Sequence, residues 1–122
     1  MNDFTRRMDF FKIPRDRYTP VPGFYESTLT EETRRRLPLG RLSLVHIDCD
    51  LFESTRRALN FVTDHLQSGT VILFDDYYCS AGHRSSGECG AFQAWLSAHP
   101  SFSAVPWYDY SVHGKAFILQ KS

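Results

Sequence analysis

Two short apolar runs, each ending in aspartates and separated by one helical segment, constrain the fold of this chain most strongly. The first run is Leu42–Ile47 and the second is Thr70–Phe74. Each has the length and composition of a buried strand. Between them, segment 53–66 carries apolar residues at helical spacing (Leu59, Val62 and Leu66). A strand, a helix and a second strand in this order predict a βαβ unit with parallel strands.

The remainder of the chain predicts a second helix and a hairpin. Segment Tyr77–Gly87 is predicted to be a loop, and Glu88–His99 a second amphipathic helix. Two β-rich stretches follow, Phe102–Tyr108 and Lys115–Leu119, joined by a turn that contains Gly114. We therefore predict an α/β fold in which parallel strands are followed by an antiparallel pair at one edge of the sheet.

Residues 1–41 are predicted to be irregular apart from one short helix. Four prolines interrupt this segment, at positions 14, 20, 22 and 38. Thr30 is placed to cap a helix over Glu31–Arg36, which has glutamates in its first turn and arginines in its last, an order that suits the helix dipole. We expect residues 1–41 to form an N-terminal segment and residues 42–122 to form the α/β part.

Composition excludes several classes of function. The 122 residues include 14 basic and 14 acidic side chains, so the formal net charge is zero. Proteins that coat nucleic acid or anionic membranes normally carry a basic excess, and we expect neither partner here. We also expect neither a signal peptide nor a transmembrane helix, because long apolar runs are absent from the sequence. Three cysteines without CxxC spacing indicate a reduced, cytoplasmic protein.

The aspartates at the strand ends predict a metal site. Asp48 and Asp50 follow the first strand, and Asp75 and Asp76 follow the second. The carboxyl ends of neighbouring parallel strands meet at one edge of a sheet, where ligands bind. A divalent cation relieves the repulsion between grouped carboxylates, and oxygen ligands favour Mg²⁺, Mn²⁺ or Ca²⁺ over zinc. For Asp50 the alternative is that it caps only the following turn or helix.

Other polar residues near these aspartates give weaker signals. Tyr77 and Tyr78 directly follow the acid pair, so one of them either lines a pocket or packs in the core. His46 lies inside the first strand and is expected to be a buried core histidine. Cys49 lies between two acids, which disfavour its thiolate, so we do not expect it to be a nucleophile.

Two motifs resemble the macrocin O-methyltransferase family of class I S-adenosylmethionine-dependent methyltransferases. They are HIDCDLFEST at residues 46–55 and GTVILFDDY at residues 69–77. The segment VPGFYESTL at residues 21–29 and the helix from Gly87 add to the resemblance, which covers about residues 21–98. Phe52 stands where the family pattern usually has tyrosine.

The resemblance implies a partial Rossmann-like sheet. Class I methyltransferases bind S-adenosylmethionine mainly with their first half, through a glycine-rich turn, and no two glycines of this sequence form a GxG motif. The resemblance therefore implies that the main cofactor-binding half is absent from this chain.

The resemblance also implies roles for the acidic residues. Asp48, Asp75 and Asp76 would hold Mg²⁺, and Asp48 would act as the general base beside the acceptor hydroxyl. Asp50, Tyr77 and Tyr78 are the candidate substrate-binding residues. The implied reaction moves a methyl group from S-adenosylmethionine to a hydroxyl of a sugar-like or other small-molecule acceptor.

Two alternatives stay open at the level of sequence. One is a non-catalytic methyltransferase remnant that forms a homodimer through the exposed apolar edge of the Leu42–Ile47 strand. The other is a glycosyltransferase-type Asp-x-Asp site, in which a metal holds a nucleotide-sugar. The second acid pair, Asp75 and Asp76, argues against a glycosyltransferase, because that class needs only the first acidic block.

Overall fold

The computed structural model describes residues 2–81, 83 and 85–122 and has a four-stranded sheet with helices. The helices are α1 (Asp3–Phe10), α2 (Tyr25–Thr28), α3 (Glu31–Arg36), α4 (Phe52–Val62) and α5 (Gly87–Ala98). The strands are β1 (Leu44–Ile47), β2 (Val71–Phe74), β3 (Phe102–Tyr108) and β4 (Lys115–Lys121). Short 3₁₀ turns lie at Arg15–Arg17 and Thr63–His65.

The strands are ordered β1-β2-β4-β3, which confirms the predicted α/β fold. β1 and β2 are parallel, with Ile47 opposite Phe74, and α4 connects them. β4 lies antiparallel between β2 and β3, so the hairpin forms one side of the sheet. β3 is one of the two edge strands, and its pairing with β4 shifts between Pro106 and Tyr108. A proline is tolerated at such an edge because its missing N–H breaks no interior ladder bond.

The hydrophobic core lies between one face of the sheet and helices α4 and α5. Leu59 of α4 and Phe92 of α5 are fully buried, as is Phe74 of β2. The ring centroid of Phe92 lies 4.7 Å from that of Phe74 and 4.9 Å from that of Phe117. This packing fixes the positions of the β1 and β2 ends relative to the start of α5.

The opposite face of the sheet is partly open among the described residues. Side chains alternate across a strand, so Leu44 and His46 point away from the face that carries Val45 and Ile47. Leu44 is 56% exposed, and the His46 side chain is 50% exposed. The expectation of a buried core histidine was therefore wrong, because His46 falls on the uncovered face. Sheets with parallel strands are usually covered on both faces.

The N-terminal segment contains more helix than the sequence predicted. Helix α3 and its cap are confirmed, since Thr30 Oγ1 accepts a hydrogen bond from the Thr33 amide at 3.2 Å. Helices α1 and α2 were not predicted. Helix α1 begins after Asn2, whose side chain caps it, and it buries none of its side chains.

Some boundaries differ by a few residues from those that the sequence predicted. Helix α4 ends at Val62 and continues as a 3₁₀ turn, whereas the apolar spacing extended the helix to Leu66. The predicted loop Tyr77–Gly87 includes Gly82 and Arg84, which lie outside the described residues. Within the described part of the chain, no helix is both long and apolar enough to cross a membrane.

Candidate functional site

Three carboxylates meet at the edge of the sheet where β1 and β2 end. The Asp75 amide donates to the Ile47 carbonyl at 2.9 Å, which holds the two strand ends side by side. One oxygen from each of Asp48, Asp75 and Asp76 lies within 4.8 Å of the others. Asp48 is exposed and the other two are half-buried. The predicted convergence of these side chains is confirmed, while metal binding by them stays a prediction.

The donor set fits a hard divalent cation. All three groups offer carboxylate oxygens, which are the preferred ligands of Mg²⁺ and Ca²⁺. Oxygens on opposite sides of an ion lie at most about 4.2 Å apart for Mg²⁺ and about 5.2 Å apart for Ca²⁺. The 4.8 Å spacing lies within the Ca²⁺ limit and exceeds the Mg²⁺ limit, so the carboxylates would have to move closer together to surround Mg²⁺.

Asp50 joins this cluster as a fourth carboxyl group. Its φ of 60° lies in the left-handed region, which short polar side chains such as aspartate tolerate. A hydrogen bond between the carboxyls of Asp50 and Asp76, followed by burial, raises the pKa of Asp76. The cap position of α4 is Leu51, which makes no side-chain capping bond. Asp50 therefore turns toward the acidic cluster and does not occupy the helix-capping position.

Glu88, in the first turn of α5, contacts the backbone of the segments that carry the acidic cluster. It is fully buried, with 0% of its surface exposed. Its Oε2 accepts a hydrogen bond from the Asp76 amide at 2.9 Å, and its Oε1 accepts one from the Cys49 amide at 3.3 Å. Burial raises the pKa of Glu88, and these amide hydrogen bonds oppose that rise. Sequence reasoning missed this contact, for which the only local signal is an acid at the start of a helix.

Three further side chains contact the acid pair, and one of them is His46, whose Nε2 lies 3.5 Å from Asp75 Oδ1. The Tyr110 hydroxyl donates to Asp75 Oδ1 at 3.1 Å from the turn between β3 and β4. Burial and this hydrogen bond raise the pKa of Tyr110. The Cys79 thiol donates to Asp76 Oδ1 at 3.3 Å. None of these contacts was predicted. The sequence does not show how the hairpin turn carries Tyr110 over the strand ends, and Cys79 lies in the loop directly after β2.

The two tyrosines predicted to bind substrate lie in different environments. Tyr77 is 7% exposed and its ring packs against Phe74 and Phe117, which assigns it to the core. Tyr78 is half-buried and belongs to a polar network at the hairpin, where its hydroxyl donates to Asp109 at 2.9 Å and accepts from Lys115 at 3.0 Å. The Tyr77 hydroxyl accepts a hydrogen bond from Gln93 of α5 at 3.3 Å.

The fold is that of known methyltransferase structures. The solved structure of the O-methyltransferase NovP matches 96% of this chain with a TM-score of 0.74 at 18% identity. The apo structure of CalS11, a TDP-rhamnose 3'-O-methyltransferase of calicheamicin biosynthesis, matches 95% of the chain with a TM-score of 0.64 at 22% identity. This chain covers 43% of the first protein and 48% of the second.

Sequence comparisons identify the family. The macrocin-O-methyltransferase (TylF) model matches residues 4–93, and the chain belongs to this family. A curated relative from Streptomyces olivaceus is 36% identical over 61 residues. It is named 8-demethyl-8-(2,3-dimethoxy-alpha-L-rhamnosyl)-tetracenomycin-C 4'-O-methyltransferase. The match covers 50% of this chain and 22% of the relative, so the chain corresponds to a part of these larger proteins.

Proposed function

We propose that this chain is the metal-binding and acceptor-binding part of an S-adenosylmethionine-dependent O-methyltransferase. The observation that carries the proposal is the convergence of Asp48, Asp75 and Asp76 within 4.8 Å in a member of this family. The acceptor is a hydroxyl of a small sugar-containing molecule. Two relatives support this choice, because their names specify methylation of TDP-rhamnose and of a rhamnosyl group.

In the proposed reaction, Asp48, Asp75 and Asp76 hold Mg²⁺ and orient the acceptor. Bound Mg²⁺ lowers the pKa of a hydroxyl next to it, so that the hydroxyl ionises near neutral pH. Asp48 is the most exposed of the three, and it accepts the hydroxyl proton as general base. Asp50, whose carboxyl is hydrogen-bonded to that of Asp76, offers a further polar group for the remaining hydroxyls of the acceptor, and Tyr78 stays a candidate substrate-binding residue. With S-adenosylmethionine bound, the deprotonated oxygen would form a bond to the sulfonium methyl as the methyl–sulfur bond breaks, and S-adenosylhomocysteine would leave as a neutral thioether. Positioning would supply much of the acceleration.

Titration calorimetry with TDP-rhamnose tests the acceptor part of this proposal. We expect binding in the presence of Mg²⁺, loss of binding after chelation with EDTA, and loss in Asp76→Asn. Binding that is equally strong with and without Mg²⁺ would contradict a metal-bound acceptor. Asp16→Asn is the matched control, because Asp16 lies on the exposed 3₁₀ turn before α2.

Titration with S-adenosylmethionine tests the donor part separately. The sequence contains no GxG turn, so we expect this chain alone to bind the cofactor weakly or not at all. Tight, saturable binding would mean that the described residues form a donor site of their own.

A second candidate function is self-association of a non-catalytic remnant. β1 is an edge strand, and Leu44 on it is 56% exposed. Exposed apolar edges pair readily with other strands, and a lysine on such an edge discourages pairing. If a homodimer forms there, sedimentation should detect it, and Leu44→Lys should shift it toward monomer. Val112→Lys, at an 86% exposed valine, is the matched control. A parent chain that stays monomeric at all concentrations would exclude this candidate.

A further inference from the structure

The hydrogen-bonded pairing of β1 with β2 stops just where the acidic cluster begins. The bond from the Asp75 amide to the Ile47 carbonyl is at the carboxyl end of the parallel pairing. Beyond it the chain after β1 turns away, with Asp50 in a left-handed conformation. Asp48 and Asp76 therefore lie on two separate segments beyond the last paired residues. Strand pairing does not set their separation, and the hydrogen bond between the Asp50 and Asp76 carboxyls links only side chains.

Glu88 links the two backbone segments with a single side chain. One oxygen of its carboxylate accepts from the amide of Cys49, the residue next to Asp48, and the other accepts from the amide of Asp76 itself. Both bonds are made to backbone, so they fix the two segments without using the oxygens of the aspartate side chains. We propose that Glu88 is a positioning residue that sets the spacing of the metal-binding carboxylates. This inference rests on the proposed function, because it concerns affinity for the same cation.

Because Glu88 is buried, packing alone poorly explains why a glutamate occupies this position. A buried carboxylate loses its hydration, and a well-packed apolar residue usually stabilises such a position as well or better. The charge of Asp76 nearby opposes ionisation of Glu88 still further. Backbone amides recover part of that cost through hydrogen bonds to the carboxylate. A charged group at this position is favourable when it holds two backbone segments that an apolar side chain cannot hold.

Two substitutions separate positioning from a simple effect of charge. Glu88→Gln replaces one accepting oxygen with an NH₂ group, so one of the two amides loses its partner. Glu88→Asp keeps the charge but is one methylene shorter, so it cannot reach both amides from the same backbone position. Substitution of residues that orient metal ligands in this way typically weakens metal binding by about 10–100-fold. We expect both variants to bind Mg²⁺ at least about 10-fold more weakly than the parent.

Titration calorimetry with Mg²⁺ is the test, performed well below each variant's unfolding temperature. Glu32→Gln, at an exposed glutamate of α3, is the matched control and should bind like the parent. Parent-like binding by Glu88→Gln and Glu88→Asp would overturn the inference. Weak binding by Glu88→Gln with parent-like binding by Glu88→Asp would also overturn it, because charge alone would then explain the effect. A parent that binds no Mg²⁺ would instead refute the proposed function.

Amide hydrogen exchange in the parent covers the case in which the Glu88 variants do not fold. If Glu88 holds both segments, the amides of Cys49 and Asp76 should exchange slowly in the absence of metal. Exchange of both amides at the rates of an unstructured loop would overturn the inference.

Discussion

Replacing Asp48 with asparagine should change stability in opposite directions with and without Mg²⁺. In the metal-free protein, Asp48→Asn removes one of three negative charges that lie within 4.8 Å of one another and should stabilise the fold. In the presence of Mg²⁺, the same change removes an anionic ligand and should diminish the stabilisation that the metal gives. A residue with a purely structural role would not produce this reversal.

The expected magnitudes follow from the spacing of the carboxylates. Two unit charges 4.8 Å apart repel by about 0.9 kcal/mol in water and by about 3.5 kcal/mol at the dielectric typical of a protein surface. Because Asp48 is exposed, we take the lower figure for each of its two charged neighbours, discount the sum for screening by solvent, and expect a gain of about 1 kcal/mol in the metal-free variant. For a chain of this size that corresponds to a rise in Tm of about 4 °C.

Mg²⁺ should have a larger effect on the parent than on the variant. At a concentration 100-fold above Kd, a ligand stabilises the folded state by about 2.7 kcal/mol, or about 10 °C in Tm. If Asp48→Asn binds 100-fold more weakly, the same concentration adds only about 0.4 kcal/mol.

Differential scanning fluorimetry with EDTA and with increasing Mg²⁺ measures both effects. Asp16→Asn carries the same chemical change on an exposed turn and should respond to Mg²⁺ like the parent. The reasoning fails if Asp48→Asn and the parent show the same Mg²⁺-dependent rise in Tm. It also fails if Asp48→Asn lowers the Tm of the metal-free protein.

Three further substitutions test the core, the hairpin network and a helix cap. Phe92→Ala removes a fully buried ring and should lower the free energy of unfolding, measured with urea, by about 3–5 kcal/mol. Phe92→Leu should lower it much less, and equal losses in the two variants would argue against the aromatic packing. The Tyr78 hydroxyl, followed by Lys115, lowers the pKa of Asp109. The stability that this carboxylate gives is present above the ordinary aspartate pKa of about 3.9 and is lost as the pH falls through the lowered value. Asp109→Asn should therefore reduce Tm at neutral pH but not in strong acid; a pH-independent difference would exclude this network. Thr30→Ala removes the α3 cap and should lower the free energy of unfolding, measured with urea, by about 1 kcal/mol. An unchanged urea midpoint would show that the cap contributes little.

The convergence of the acids could be predicted because it depends on local patterns. Two apolar runs joined by one helix define parallel neighbours, and residues that follow such strands meet at one edge. Asp48 and Asp75 were placed together for this reason, and the structure confirms it. The α3 helix was predictable in the same way, since Thr30 and the charge order lie within one short segment.

The contacts around the acids could not be predicted because they depend on long-range packing. Glu88 meets Cys49 across 39 residues of sequence, and Tyr110 meets Asp75 across 35. Tyr77 directly follows the acid pair, yet the packing of α5 and β4 decides that its ring enters the core. Helix α1 was missed although its signals are local, since Asn2 caps it and Phe4 and Met8 lie one helical turn apart.

Manganese-induced line broadening in NMR spectra tests the central claim most directly, because Mn²⁺ takes the same carboxylate ligands as Mg²⁺. If Asp48, Asp75 and Asp76 hold one divalent cation, substoichiometric Mn²⁺ should broaden the amide signals of these residues first, and excess Mg²⁺ should restore them. Broadening centred on another acidic segment, such as Glu31 and Glu32, or spread evenly over the surface would contradict the claim.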